Sequence, residues 1–188
     1  MYKVIALCGE AGCGKDTLAK RVEKELGWNF IISCTTRPIR EGEQEGVNYY
    51  YLTNEEFANK VLNGDMLETT FFNGWAYGAS IDALKENKIN IGVFNPDGIQ
   101  ILEEDNRIDL KVIYLQVSPK ERLIRQLTRE TNPNIDEIFR RYQTDNSDFS
   151  EFFHSNIFNL SDDYYIFSNE TKEQLEENVK LIRKLFDN

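Results

Sequence analysis

The sequence predicts an α/β fold in which helices flank a parallel sheet and a small β-rich lobe is inserted into it. Three observations carry that prediction. The apolar run Val4 to Cys8 ends at a glycine-rich loop that opens a helical pattern. Four further strand-like runs then alternate with helix-like segments, the rhythm of a doubly wound sheet. Residues 35–80 break that rhythm with more structure than a simple connection needs.

Val4 to Cys8 is uniformly apolar, which suits a strand buried on both faces. Lys15 to Leu26 reads as a helix, with Leu18, Ala19, Val22 and Leu26 at helical spacing and Gly27 as its stop. Phe30–Ser33, Ile89–Asn95, Lys111–Val117 and Tyr164–Ser168 are the remaining core strands, five in all with the first. Within the interruption lie Arg37, Pro38 and Arg40, the turn EGEQEG, the strand-like VNYYYL, a helix from about Asn54, and the strand-like MLETTFF. Arg-rich helical segments follow Pro119. An amphipathic helix from Thr171 to Phe186 packs through Leu175, Val179, Leu181, Ile182 and Leu185.

At 188 residues and 40% apolar, the chain is one domain with material for a real core. Its 22 basic against 32 acidic residues give a net charge of −10, which argues against broad nucleic-acid binding, since that needs a basic face. A few clustered cations still suffice for a small phosphorylated ligand. The first residues lack a charged-then-apolar leader pattern, and no apolar run reaches membrane-spanning length. Cys8, Cys13 and Cys34 are odd in number and match no zinc spacing. These features predict a cytoplasmic protein with reduced thiols, no membrane contact and no obligate protein partner. His154 is the single histidine, which excludes a histidine-based triad or a histidine-rich metal site.

The loop Gly9-Glu10-Ala11-Gly12-Cys13-Gly14-Lys15-Asp16-Thr17 joins the first strand to the first helix. Its glycines let backbone N–H groups turn inward, and the helix N-terminus adds its positive end, so the loop can wrap a polyphosphate. Gly9, Ala11, Gly12, Cys13 and Gly14 would cradle it, and Lys15 would reach the terminal phosphates. The usual hydroxyl after the lysine is replaced by Asp16, with Thr17 one place later. Both offer oxygen to a magnesium ion.

A second constellation follows the second strand. Arg37 and Arg40, three apart and held by proline and glycine, form a clamp for a phosphate monoester, with Tyr49 and Tyr77 adding hydroxyl donors. Glu68 can accept two N–H groups from a base edge, and guanine offers that pair. Downstream, Arg125 and Arg129 lie four apart on one helical face, a spacing that suits a solvated face beside Glu121 and Glu130 as well as charge neutralisation on a transferred phosphoryl group.

The stretches GEAGCGKDT, SCTTRPIREGEQEGVNYYYLTNEEF, GDMLE and Tyr77-Gly78-Ala79-Ser80 together resemble the guanylate kinase family of nucleoside monophosphate kinases. The resemblance is strong over about the first 80 residues and continues as pattern to the C-terminus. It implies a P-loop kinase core (1–33, 81–118 and 160–188), a monophosphate-binding lobe over 34–80 and a mobile helical lid over 119–159. It further implies that Ser33 and Glu68 read the base and that Arg37, Arg40, Tyr49 and Tyr77 hold the acceptor phosphate. Ser80 adds a polar contact, Arg141 joins the catalytic arginines, and Asn169 contacts the adenine of ATP. The implied reaction moves the γ-phosphoryl of ATP, with Mg2+, onto GMP or dGMP.

Two departures qualify the acceptor. Val93 and Asn95 stand where the family carries an Asp-x-Asp pair, leaving Asp97 to cap the next helix. Ala79 stands where the family has a hydroxyl. A different nucleoside monophosphate or a phosphorylated sugar therefore stays open as acceptor, as does a non-catalytic binding module.

Overall fold

The computed structural model describes residues 1–40, 42–72, 74–129, 131–154 and 162–186, with the side chains of 151–154 left aside. The expected lid and the returning core segment thus lie partly outside the described residues. In chain order the elements are β1 (Tyr2–Cys8), α1 (Lys15–Leu26), β2 (Asn29–Phe30), β3 (Cys34–Thr35), β4 (Tyr50–Tyr51) and α2 (Asn54–Leu62). Then come β5 (Met66–Phe72), β6 (Trp75–Ser80), β7 (Asn90–Val93), α3 (Pro96–Glu104), β8 (Ile108–Gln116), α4 (Pro119–Thr128), α5 (Ile135–His154), β9 (Tyr164–Ser168) and α6 (Lys172–Lys184).

The main sheet has the order β2-β7-β1-β8-β9, and every neighbouring pair runs parallel. Central β1 is buried without remainder from Val4 to Cys8, and alternation sends its side chains to two separate cores. Val4, Ala6 and Cys8 join Ile99 and Leu102 of α3 and Phe149 of α5. Ile5 and Leu7 join Leu18, Ala19 and Val22 of α1 and Val179 and Ile182 of α6. One strand therefore anchors both layers, and its C-terminal end fixes where the glycine loop emerges.

Sequence and structure differ at strand ends for identifiable reasons. The second core strand is Asn29–Phe30 with one more ladder bond, from Ile31 N–H to the Ile91 carbonyl, so Ser33 lies beyond it. β8 begins at Ile108 rather than Lys111, because pairing with β1 starts at Tyr2 and carries Asp109 into the sheet. β7 stops at Val93 because Asn95 leaves the strand to cap α3, accepting from Gly98 N–H at 2.9 Å. Asn95, not Asp97, is thus the cap, and Asp97 sits in the exposed first turn.

A second sheet of order β4-β3-β6-β5 mixes one parallel and two antiparallel pairs. Phe57 of α2 closes it against Cys34 and Ala76. Thr53 and Glu56 form a reciprocal capping box that starts α2. Among the described residues no helix is long and apolar enough to cross a membrane.

Asn90 ties the core edge together. Fully buried, its amide donates to the carbonyls of Lys3, Lys85 and Lys88 at 3.1–3.2 Å, and its oxygen accepts from Asn29 Nδ2 and Lys85 N–H at 2.8 Å. Asn90→Ala would strand these partners, so urea unfolding should show a loss of about 2–3 kcal/mol. A loss under about 0.5 kcal/mol would mean that water replaces the amide.

Candidate active site

The glycine loop is shaped by close contacts as much as by sequence. Gly12 has φ +85°, and a Cβ there would stand 2.6 Å from the Arg122 carbonyl oxygen of α4. Gly14 has φ +97°, and its Cβ would meet Asn169 Nδ2 at 2.7 Å. Both conditions admit only glycine. Gly14 is also the N-cap of α1 and offers no side-chain cap, so the first-turn N–H groups of α1 are left for a ligand.

Lys15 Nζ folds back over the loop, donating to the carbonyls of Gly9 at 2.5 Å and Glu10 at 3.2 Å and lying 3.6 Å from Cys13 Sγ. Burial pulls its pKa down, but Cys13, Asp16 and Asp145 outweigh burial and the net shift is upward. It is an ammonium awaiting a polyanion. Ala11 N–H donates to Asp145 Oδ2 of α5 at 2.6 Å. Asp16 and Thr17 stand exposed on the first turn of α1, and Asp16 lies within electrostatic range of Lys15 and of Tyr49 beside the second sheet.

No group of three or more metal-ligating side chains occurs among the described residues. Magnesium characteristically uses one or two protein oxygens beside substrate phosphates and water, so Asp16 and Thr17 at the cradle's rim are a donor set of the right chemistry.

Several side chains clasp the loop from outside. Arg125 donates through Nη2 to the carbonyls of Asn169 and Glu170 at 2.9 and 2.8 Å, and through Nη1 to that of Gly12 at 3.4 Å. Glu121 accepts from its Nε at 2.9 Å. The Asn169 amide donates to the Cys13 carbonyl at 2.8 Å, and its oxygen accepts from Asn178 Nδ2 at 3.4 Å. That side chain therefore holds the loop through one of its amide N–H groups. Arg129 lies exposed at the C-terminal end of α4.

A cavity of about 390 Å³ opens beside the loop, lined by Glu10, Tyr114, Gln116, Ser118, Arg122 and Glu170 among others. Arg122, 2% exposed, faces Glu10 at 3.5 Å and the Tyr142 ring. Its Nε is the one buried side-chain nitrogen or oxygen without a hydrogen bond among the described residues.

The expected acceptor residues gather around Glu43, which the sequence reading passed over. Arg37, 6% exposed, binds its carboxylate through both Nη groups at 2.9 and 3.0 Å. Arg40 contributes its backbone N–H at 2.8 Å and Tyr51 its hydroxyl at 2.8 Å, while the Arg40 side chain lies exposed. Burial would raise the Glu43 pKa, but these donors outweigh it and bring it to about 2. The Tyr49 ring meets those of Tyr51 and Tyr77 edge-on at 6.1 and 6.0 Å, and the Arg37 guanidinium lies 5.5 Å from its centroid.

Glu68 is 8% exposed, and among the described residues its carboxylate accepts one hydrogen bond, from Ala79 N–H at 2.8 Å. Burial raises its pKa to about 7. Ser80 does not share this opening, because its hydroxyl donates to the Asp65 carbonyl at 3.1 Å and receives Lys60 Nζ at 3.4 Å. Ala79 turns its methyl into the core. Asn95 reaches Thr70 Oγ1 at 3.3 Å, and a Cβ on Gly98 would stand 3.4 Å from Glu68 Oε2, so Asn95 and Glu68 converge on the start of α3.

Comparison with known proteins then decides the family. The guanylate kinase family model matches residues 1–180. The chain belongs to the guanylate kinase family. It is 30% identical to human guanylate kinase over 187 residues, covering 94% of this chain and 93% of the relative. Guanylate kinase from Fusobacterium nucleatum is 34% identical over 137 residues, covering 70% and 72%. The crystal structure of guanylate kinase from Anaplasma phagocytophilum shares the fold, with a TM-score of 0.66 at 21% identity, covering 98% of this chain and 84% of that one. The five-stranded parallel core read from the sequence is the observed one.

Glu68 yields a pH test. Below about 7 its carboxyl is protonated in the free protein and has lost acceptor capacity; above that both oxygens accept. The ratio of wild-type to Glu68→Gln affinity for guanosine monophosphate should therefore rise about tenfold from about pH 6 to pH 8, read by calorimetry. A flat ratio would remove Glu68 from base recognition.

Proposed function

We propose that the chain transfers the γ-phosphoryl group of ATP to guanosine monophosphate or its deoxy form, releasing ADP and the nucleoside diphosphate. One observation carries this reading: Asp16, on the uncapped first turn of α1, lies close enough to Tyr49, which stands beside Arg37 in the second lobe, to act on it electrostatically. Two phosphate-binding regions so placed suit direct transfer between two nucleotides, a reaction that rests on alignment and charge neutralisation.

The roles follow from chemistry. The cradle's N–H groups hold the donor phosphates, and Lys15 exchanges its loop carbonyls for phosphate oxygens. The half-buried Tyr49 hydroxyl, whose pKa burial raises, stays protonated and donates to the acceptor phosphate beside Arg37 and Tyr77. Arg40, exposed at the lobe's turn, adds charge there. Ionised Glu68 accepts from the guanine N–H edge, and Ser33, just past the β2 segment, adds a hydroxyl to base reading. Arg141 neutralises the phosphoryl group in flight. Asp16 and Thr17 would hold magnesium, which when bound screens the phosphate charge. A cytoplasmic setting accords with Cys8, Cys13 and Cys34, all buried and unpaired.

The reading predicts ADP release from ATP and magnesium confined to guanine monophosphates across a panel of ribo- and deoxynucleotides, and abolished in Lys15→Ala. Strong turnover on another monophosphate would overturn the Glu68 assignment, and ATP binding without turnover would favour a binding module. Asp16→Ala should cut turnover at saturating magnesium about tenfold or more with an unchanged melting temperature. Wild-type turnover in that variant would leave Thr17 as the sole rim ligand.

A further inference from the structure

Glu137, Arg141 and Asp145 are spaced four apart on α5 and share one face. Asp145 docks that face on the phosphate cradle through its bond from Ala11 N–H. Arg141 therefore stands one helical turn from the cradle. Its Nε donates to Glu137 Oε1 at 2.8 Å, and its two Nη groups make no hydrogen bond among the described residues. Glu137 also accepts from Arg140 Nε and Nη2 at 2.7 and 2.9 Å. Arg140 in turn lies over the Phe72 ring of β5, 4.5 Å from its centroid. α5 is thus tied to the cradle at one point and to the second sheet at another, and Glu137 links the second tie to Arg141.

We infer that Glu137 is a positioning residue for phosphoryl transfer, holding the Arg141 guanidinium by its Nε edge so that the Nη fork is presented to the transferred group. This rests on the reading of Arg141 as a catalytic arginine. An arginine side chain otherwise spreads over many rotamers, and a fork that meets phosphate oxygens two at a time depends on a fixed plane. Stability is not the reason for the contact. With Glu137 28% and Arg141 31% exposed, such a pair contributes little to folding. Hydrogen bonds from Arg140 and then Arg141 bring the Glu137 pKa to about 2, so the carboxylate holds its charge at every working pH. Its link to Arg140 adds a consequence: docking of α5 on Phe72 and orientation of Arg141 are read through one carboxylate.

The test is a double-mutant cycle on the full chain, reading kcat, both KM values and the melting temperature. Arg141→Ala should lower kcat about 10³-fold. Glu137→Ala should lower kcat on the order of ten- to a hundredfold, with both KM values within about twofold and no change in melting temperature. In the Arg141→Ala background, Glu137→Ala should cost nothing further. If Glu137→Ala does not fold, Glu137→Gln keeps the shape, weakens the acceptor and should show the same loss only when Arg141 is present. Unchanged or faster turnover in the Glu137 variants would overturn the inference, as would an equal loss in both backgrounds. Wild-type turnover in Arg141→Ala would instead overturn the catalytic role of Arg141, and this inference with it.

Discussion

The approach of α4 and the β9 exit onto the glycine loop is the constraint on which the rest of the structure depends. A Cβ at Gly12 would lie 2.6 Å from the Arg122 carbonyl, and one at Gly14 would lie 2.7 Å from the Asn169 amide. Contacts this tight hold the loop in a phosphate-ready shape, so little conformational entropy is lost when a nucleotide arrives. They exist because β1 is buried on both faces and delivers the loop to the sheet's C-terminal edge between β7 and β8. Fold and site are joined at that edge.

A chain with net charge −10 handles a doubly anionic reaction by pairing its arginines in advance. Arg37 is held by Glu43, Arg125 by Glu121, Arg141 by Glu137, and Arg122 faces Glu10. Each carboxylate fixes a guanidinium and compensates its charge before substrate is present. That arrangement gives up raw positive potential in favour of geometry, which phosphoryl transfer requires most. Glu68 is the exception: among the described residues its buried carboxyl has no cationic partner, and burial raises its pKa to about 7.

Local signals made the core legible in the sequence. Apolar runs identified β1 and β9, helical spacing identified α1, and the boundaries of β5 follow directly from MLETTFF. The strand, glycine loop and helix succession located the cradle. Contacts made across long sequence separations were out of reach. Ala11 meets Asp145 134 positions away, and no periodicity announces such a pair. Arg122 carries no local signal of its burial, yet it is 2% exposed with its backbone against Gly12 of the loop. Asn169 and Ser80 each donate to a protein carbonyl far along the chain, bonds that no local pattern signals. Glu43 had a visible signal, its place between Gly42 and Gly46 just past the paired arginines.

A phosphate cradle whose shape depends on Gly14 is the claim at the centre of this description. Equilibrium binding of ATP and of guanosine monophosphate to Gly14→Ala, measured separately by calorimetry, tests it most directly. ATP affinity should fall at least about tenfold, since the added methyl strains φ and meets the Asn169 amide, while monophosphate affinity is unchanged. Wild-type ATP affinity in a folded variant would contradict it.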